Sequence, residues 1–506
     1  MKKTSFLQAA ISTTVMLVLF KLLGFVKQAV IAYYFGTTFA LDSYYVALGF
    51  LDSFVFSVAE GLGVGTLSVY TTVRITEGRE RAGEAIQMIL SCFLPLSALV
   101  SGIMLLLAAP LAHLLAPSYT AAERTVLTSM LRWVSPLFCI LVATSLLCAV
   151  LNSEKQFHLT RLESFFRSSG IILCILLFSS TLSTYSLILG DYISIILFAL
   201  LLFIVIKKNY LKLSFSVPTY TPEVKQVLHL AIPLMIGDGM IRLNEMVDRI
   251  LATNIGEGNV SALSYCQVLT QFVTYLVIIN IGNILFAEFS NLAAEGKTKE
   301  ISETLERTLK TLVYLLIPVS IITVFCAKDI VKIVYYRGSF DETALRYTAA
   351  ALVGYAISFP VMAVRDILTK SMYAYQNTKA PMVNGAVSIV INIALSIMLS
   401  LRFGIIGIAL GTSISAVVTM ILNMCSFRRI LPEFSYRRLG KAVLYSLPSI
   451  VFTTLAVVFF SHRISNPLLS FLISACTGFV LFFVGLQLTG AQDFKAIVHS
   501  LAKRKT

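Results

Sequence analysis

Apolar segments of membrane-spanning length recur along the whole chain, and they constrain the fold more than any other feature. A helix of about 20 apolar residues crosses a bilayer. Fourteen segments meet this measure, approximately 8–34, 42–72, 84–110, 126–151, 157–181, 184–206, 226–253, 260–289, 308–327, 343–372, 380–400, 404–427, 440–461 and 466–488. Because 57% of the 506 residues are hydrophobic and only 13% are charged, a soluble fold could not bury the apolar surface. The sequence predicts an all-α polytopic membrane protein with about fourteen transmembrane helices.

Basic residues are distributed unevenly over the predicted loops. With both termini inside, the cytoplasmic loops hold most lysines and arginines, and the opposite loops hold little beyond Arg124, Arg337, Arg402 and Arg463. Cytoplasmic loops carry an excess of Lys and Arg, so we expect both termini in the cytoplasm. This bias also explains the net charge of +14. Nucleic acid is not an expected partner, because the basic residues form no continuous face.

Two stretches share an order of features that indicates an internal repeat. AVIAYYFGTTFALDSYYVA (29–47) and ILATNIGEGNVSALSYCQV (250–268) each contain a helix end, a glycine, a polar turn, Ala-Leu and Ser-Tyr. Each opens a block of six segments, as in transporters built from parallel repeats with a central cavity between their lobes. We therefore predict an N-terminal lobe (1–206), a basic cytoplasmic linker (207–225), a C-terminal lobe (226–430), and a terminal helix pair with a basic cytoplasmic tail (431–506).

A charged stripe interrupts the seventh segment, in IGDGMIRLNEMVDRI (236–250). Asp238, Arg242, Glu245 and Arg249 fall at i, i+4, i+7 and i+11 on one helix face, with Asp248 beside them. The spacing predicts that each neighbouring pair of opposite charges interacts. A charge at the bilayer centre costs about 2.5–3.5 kcal/mol, so the stripe must face protein or water. It is either a self-neutralised ladder that fixes the helix or one wall of a water-filled substrate cavity.

The first segment contains cations with no acidic residue nearby in the sequence. In KLLGFVKQ (21–28), Lys21 and Gln28 share one helix face and Lys27 lies beside them. Unpaired cations deep in a membrane protein indicate an anionic ligand, and a phosphate suits the point charge of lysine. The alternative is that these lysines pair with a carboxylate of the second segment, which offers Asp42, Asp52 and Glu60.

Two further polar groups lie in the second half of the chain. Arg365 and Asp366 are in the middle of a predicted helix within 360–381. The stretch AKDIVKIVYYRGSFDE (327–342) predicts an interfacial helix and an outer loop with solvated charges.

The sequence contains no enzyme signature: HExxH, P-loop and GxSxG patterns are all absent. We therefore predict no catalytic residue, no metal site and no cofactor. Without a nucleotide-binding domain, transport would use an ion gradient, the membrane potential or the substrate's own gradient. Coupling to a monovalent cation or a proton would need a free carboxylate, such as Asp42, Asp238 or Glu245.

Several of these stretches resemble the MurJ/MviN lipid II flippases of the multidrug/oligosaccharidyl-lipid/polysaccharide exporter superfamily. The opening FKLLGFVKQAVIAYYFGTTFALDSYYVALGF, the seventh-segment RLNEMVDRILA and the block YYRGSFDETALRYTAAALVGYAISFPVMAVRDILTKSMYAYQNTKAP are similar to family motifs. The resemblance covers about residues 8–430. It implies fourteen helices in two lobes around a V-shaped cationic cavity. It also implies alternating-access transport of undecaprenyl-diphosphate-linked sugars across a bacterial plasma membrane. The implied partners are that glycan, membrane lipids and glycan-synthesis proteins.

The chain departs from the family at several cavity positions. Lys21 and Lys27 stand where the family has essential arginines, and Gln28 replaces an aspartate. Residues 55–56 replace an arginine pair, and Val268 replaces another arginine. Because lysine lacks the bidentate grip of arginine, these departures favour another lipid-linked glycan, such as an exopolysaccharide repeat unit. The alternatives are a lipid II flippase, a cation-coupled multidrug exporter of the same superfamily, and a non-transporting scaffold for glycan synthesis.

The candidate site residues form two groups. The predicted substrate-binding residues are Lys21, Lys27, Gln28, Arg242 and Arg365. The predicted cavity carboxylates and gating residues are Asp42, Glu60, Asp238, Glu245, Asp248 and Arg249.

Overall fold

Helices account for nearly all of the computed structural model, which describes residues 3–209 and 220–489. No strand occurs within these residues. Each of the fourteen predicted segments coincides with a helix or with a broken helix, which confirms the all-α membrane fold. The chain divides into two compact units. The first runs to Ser261 and includes Arg337–Phe340, and the second contains the rest.

Ten helices of the described chain lie in the first unit. They are α1 (Lys3–Phe35), α2 (Phe39–Thr76), α3 (Arg79–Leu106), α4 (Ala108–Leu115), α5 (Ala121–Val134), α6 (Leu137–Ser153), α7 (Phe157–Thr160), α8 (Leu162–Leu182), α9 (Tyr185–Asn209) and α10 (Pro222–Ile255). Local sequence explains several of their starts. Thr120 and Glu123 form a capping box at α5, and the Thr221 side chain accepts from Val224 N at the start of α10, which has Pro222 in its first turn.

The second unit begins within α11 and contains the remaining helices. They are α11 (Asn259–Val273), a π-helical turn (Thr274–Ile279), α12 (Asn280–Ala294), α13 (Thr298–Phe325), α14 (Ala327–Tyr335), α15 (Glu342–Ala356), α16 (Phe359–Ala374), α17 (Lys379–Phe403), α18 (Ile405–Ile430), α19 (Tyr436–Arg463) and α20 (Pro467–Leu488). Leu305, Leu309, Leu312 and Leu316 follow helical spacing along α13 and are buried in the core of this unit.

Twelve helices of the described residues are long and apolar enough to cross a membrane. A thirteenth span is obtained if α15 and α16, which are bent by 49° at their junction, are counted as one. The predicted segment 8–34 lies on α1, which is outside these thirteen. The total of fourteen spans therefore stays a prediction.

Close packing of α10 against α2 determines where the charged stripe lies. A Cβ atom on Gly65 would come within 2.8 Å of the Val227 carbonyl oxygen, and one on Gly61 within 3.0 Å of the Ala231 carbonyl oxygen. On another side of α2, a Cβ atom on Gly63 would meet Ser145 Oγ of α6 at 2.7 Å. These glycines of the second segment allow helices to approach closely, so α10 lies directly against α2.

The compact units do not divide the chain at the predicted linker. The division follows Ser261, so α10, which the repeat assigns to the C-terminal lobe, belongs to the first unit. Residues 210–219 of the predicted linker and 490–506 of the predicted tail lie outside the described chain. The arrangement as two six-helix lobes with a central cavity remains a prediction.

Candidate functional site

The charged stripe of α10 forms a triad centred on Arg242. Arg242 Nε lies 3.4 Å from Asp238 Oδ2, and its Nη1 lies 3.5 Å from Glu245 Oε2. Ser57 Oγ of α2 donates a hydrogen bond to Asp238 Oδ2 at 3.2 Å. The side chains of Arg242, Asp238 and Glu245 are 28%, 25% and 44% exposed, so protein does not enclose the triad. Two of the three predicted pairs are present.

The third predicted pair, between Glu245 and Arg249, is wrong. It is absent from the ion pairs of the described residues, and the Arg249 guanidinium instead lies across Gly49 of α2, where a Cβ atom would collide with it. Because Gly49 has no side chain, the guanidinium packs on α2 and does not turn back along α10. Arg249 Nε is buried and has no hydrogen-bond partner among the described residues. Asp248, the preceding residue, is buried.

A second charged group joins α2, α8 and α9. Arg167 Nε of α8 donates to Asp191 Oδ1 of α9 at 2.7 Å, and Arg167 Nη2 lies 3.7 Å from Asp52 Oδ1 of α2. The Tyr44 hydroxyl donates to the other Asp191 oxygen at 3.1 Å. The sequence analysis missed Arg167 and Asp191. Each is a charged residue within an otherwise apolar stretch, and that signal could have identified them.

Lys27 of α1 lies within electrostatic range of this group but is not ion-paired to it. It interacts at longer range with Arg167, Asp191, Asp52 and Lys21. No ion pair or hydrogen bond joins Lys27 to another residue of the described chain. The alternative in which Lys27 pairs with a carboxylate of the second segment is therefore not realised among these residues.

The other two predicted residues of α1 differ in their surroundings. Lys21 is exposed. Gln28 is buried and donates from Nε2 to the Tyr45 hydroxyl of α2 at 2.6 Å. Gln28 therefore holds α1 to α2 beside Lys27, in the position where the resemblance places an aspartate.

Asp42 is fully occupied by hydrogen bonds at the start of α11. Its Oδ2 accepts from Gly258 N at 2.6 Å, and its Oδ1 accepts from Ser261 N at 2.7 Å and from Ser261 Oγ at 2.5 Å. In return, Glu257 Oε1 accepts from Phe39 N at 2.8 Å, at the start of α2. Each of the two stretches of the predicted repeat thus supplies a carboxylate that caps the start of a helix in the other stretch. The start of a helix is a common position for a carboxylate.

This geometry gives Asp42 a structural role, and its gating role stays a prediction. Glu60, the other predicted carboxylate of α2, is exposed.

Arg365 lies in the second unit, on α16. Its Nε and Nη2 atoms both lie 2.8 Å from Asp366 Oδ1. One turn further along α16, Lys370 Nζ donates to Asn283 Oδ1 at 2.7 Å and to the Ile279 carbonyl at 3.3 Å, at the end of the π-helical turn. The predicted site residues are therefore distributed over both units, with all except Arg365 in the first.

Two cations of the first unit, Lys27 and Arg249, have no ion-pair partner among the described residues. Lys27 lies within electrostatic range of the group around Arg167, and the Arg249 guanidinium lies across Gly49 of α2. Ammonium and guanidinium groups bind phosphate oxygens by charge-assisted hydrogen bonds. This arrangement can therefore hold an anionic group.

Comparisons with known proteins place this chain among membrane flippases. The family model described as "Lipid II flippase MurJ" matches residues 31–477. A probable lipid II flippase MurJ of Rhizobium tropici is 26% identical over 88% of this chain and 85% of its own length. The one of Bdellovibrio bacteriovorus is 28% identical, but over 48% of this chain and 46% of its own length.

A solved structure has the same fold. It is described as lipid II flippase MurJ in an inward closed conformation, and it aligns with a TM-score of 0.81 over 96% of this chain and 100% of that chain. The two sequences are 20% identical, so this likeness shows the fold alone.

Proposed function

This chain belongs to the MurJ family, and we propose that it moves lipid II from the inner to the outer leaflet of the plasma membrane. Family membership confirms the predicted resemblance, and it confirms that the chain is a membrane transporter and not an enzyme. The substrate, the direction of transport and the placement of both termini in the cytoplasm are parts of the proposal.

The observation that carries the proposal is the presence beside α2 of two cations without an ion-pair partner among the described residues. A lipid-linked glycan presents its diphosphate as the main charged group near the membrane. In our proposal Lys27 and the Arg249 guanidinium bind that diphosphate. Neither is ion-paired to another described residue, and both lie beside α2. Binding at this site would alternate between the two leaflets, driven by the membrane potential or by coupling to a proton or a monovalent cation.

Lipid II is a better-supported substrate than the exopolysaccharide unit that the sequence departures favoured. The family model and the R. tropici relative both carry the name of a lipid II flippase. The departures of this sequence from the family counted against lipid II because lysines stand where the family has arginines, and lysine lacks the bidentate grip of arginine. Arg249 answers part of that argument, since it brings a guanidinium to α2 across Gly49. We therefore place the exopolysaccharide unit second.

A transport assay with purified protein tests the proposal. Proteoliposomes would receive fluorescent lipid II, or a fluorescent undecaprenyl-diphosphate oligosaccharide without the peptide, and flipping would be measured by quenching from outside. We expect transport of lipid II, its loss in Lys27→Ala at normal protein level, and no loss in the control Lys299→Ala, which changes an exposed lysine of α13.

Transport of the oligosaccharide but not of lipid II would contradict the substrate and favour the exopolysaccharide reading. Normal transport by Lys27→Ala would remove Lys27 from the diphosphate site. If neither lipid is transported under any ion gradient, the result would contradict the proposed function and favour a non-transporting scaffold for glycan synthesis.

A further inference from the structure

We propose that Arg167 is a positioning residue: it engages Asp191 and Asp52, and so keeps both carboxylates from pairing with Lys27. The inference rests on the proposed function, because it concerns how Lys27 stays available for a diphosphate.

The contacts of Arg167 divide its guanidinium between two helices. Nε donates to Asp191 on α9 at 2.7 Å, and Nη2 faces Asp52 on α2 at 3.7 Å. A guanidinium can do this because its five N–H donors are arranged in a rigid fork, whereas an ammonium is a single point charge. One arginine therefore faces two carboxylates at once.

Lys27 is the cation that would otherwise take these carboxylates. Both Asp191 and Asp52 attract it electrostatically, and Arg167 repels it. The Asp191 carboxylate cannot simply turn to water, because its side chain is only 1% exposed, whereas the Asp52 side chain is 26% exposed. A buried carboxylate without a cation is costly, so loss of the Arg167 charge favours movement of Lys27 towards it.

A purely structural role for Arg167 makes a different prediction. If Arg167 only ties α8 to α9 and α2, Arg167→Gln lowers the melting temperature, but the reactivity of Lys27 in the folded protein does not fall. If Arg167 acts by occupying those carboxylates, removing them together with Arg167 frees Lys27 again. Replacing both partners of a buried ion pair by neutral groups of similar shape is also tolerated far better than removing one.

The test compares Arg167→Gln with the triple variant Arg167→Gln/Asp191→Asn/Asp52→Asn, in full-length protein in nanodiscs. The affinity for undecaprenyl diphosphate and the rate of Lys27 acylation, followed by mass spectrometry, are measured for each variant. In Arg167→Gln we expect the affinity to fall about tenfold, as for a lost hydrogen bond to a charged group, and Lys27 to react more slowly. The triple variant should recover both. Arg167→Lys, which keeps the charge, should bind more tightly than Arg167→Gln.

Wild-type affinity, or a wild-type rate of Lys27 acylation, in a folded Arg167→Gln protein would overturn the inference. So would a triple variant that binds as weakly as a folded Arg167→Gln, and the melting temperature of each protein establishes that it is folded. If Arg167→Gln fails to fold, Arg167→Lys decides in its place, because an ammonium cannot fork between two carboxylates: slower acylation of Lys27 supports the inference, and a wild-type rate overturns it.

Lys27→Ala in the same assay separates this inference from the proposed function. If Lys27→Ala binds undecaprenyl diphosphate normally, the proposed diphosphate site fails. If it loses binding while Arg167→Gln does not, only the role of Arg167 fails.

Discussion

Asp42 and the group around Arg167 are both polar regions buried beside α2, but their charges are satisfied differently. Asp42 accepts three hydrogen bonds within 2.7 Å, all from Gly258 and Ser261. At the other region, one guanidinium faces two carboxylates, one of them at 3.7 Å, and Lys27 has no ion-pair partner in the described chain. A carboxylate with a complete set of hydrogen-bond donors has little capacity left to bind a substrate. A cation without a counter-ion, in contrast, is available to bind an anionic substrate.

This difference separates structure from function at the level of single side chains. Buried polar groups are normally hydrogen-bonded, so a complete set of donors is the ordinary condition of a structural residue. An incomplete set at a buried site needs an explanation, and a role in substrate binding is one. The variants below test whether Asp42 has a structural role and whether the cations beside α2 bind substrate.

The largest effect on stability is expected from Asp42→Ala. It leaves two backbone N–H groups and one hydroxyl without their acceptor, at about 1–3 kcal/mol for each buried group. The protein level and the melting temperature in detergent should both fall clearly. Asp42→Asn keeps one acceptor oxygen and should lose less. A stable Asp42→Ala protein without transport would instead assign Asp42 to gating.

Gly49→Ala is expected to act on function more than on folding. The added methyl group occupies the place of the Arg249 guanidinium and should displace it. We expect the affinity for undecaprenyl diphosphate to fall by about tenfold, with a stability loss of about 1–3 kcal/mol from overpacking. Gly440→Ala is the matched control, because nothing lies within 4 Å of a Cβ atom there. Unchanged affinity in a folded Gly49→Ala protein would exclude Arg249 from the site.

Tyr45→Phe should give the smallest effect. It removes the acceptor of the buried Gln28 amide, which costs about 1 kcal/mol, and leaves the cations of the site in place. Thermal unfolding should detect the small loss, and transport should be nearly normal. Tyr445→Phe, at an exposed tyrosine of α19, provides the baseline. A strong loss of transport at nearly normal stability would make Gln28 or Tyr45 a substrate contact.

Hydropathy predicted the existence of the helices well, because crossing a bilayer requires a fixed length of apolar chain. It did not predict the breaks within several of the segments, among them those at α3–α4, α5–α6, α7–α8, the π-helical turn and α15–α16. Hydropathy averaged over a window of residues does not reveal such local changes of the backbone. Pro136 directly before α6 and Pro360 in the first turn of α16 were the available signals.

The candidate site was predictable only where its contacts are local. The pairs of Arg242 with Asp238 and Glu245 follow from spacing along one helix, and both are present. Arg249 does not follow this spacing rule, because its guanidinium packs over Gly49 on another helix. Contacts between different helices, such as those of Arg167 on α8 with Asp191 on α9 and Asp52 on α2, depend on packing that spacing along one helix does not specify.

The cap formed by Asp42 also has a consequence for biosynthesis. Its nearest donor in the sequence, Gly258, follows 216 residues later. At about 5–20 residues per second, a ribosome needs about 10–40 s to make that interval. For that time α2 is complete while Asp42 lacks all three donors. Nascent chains that stop before Gly258 would therefore leave the Asp42 carboxylate without these hydrogen-bond donors.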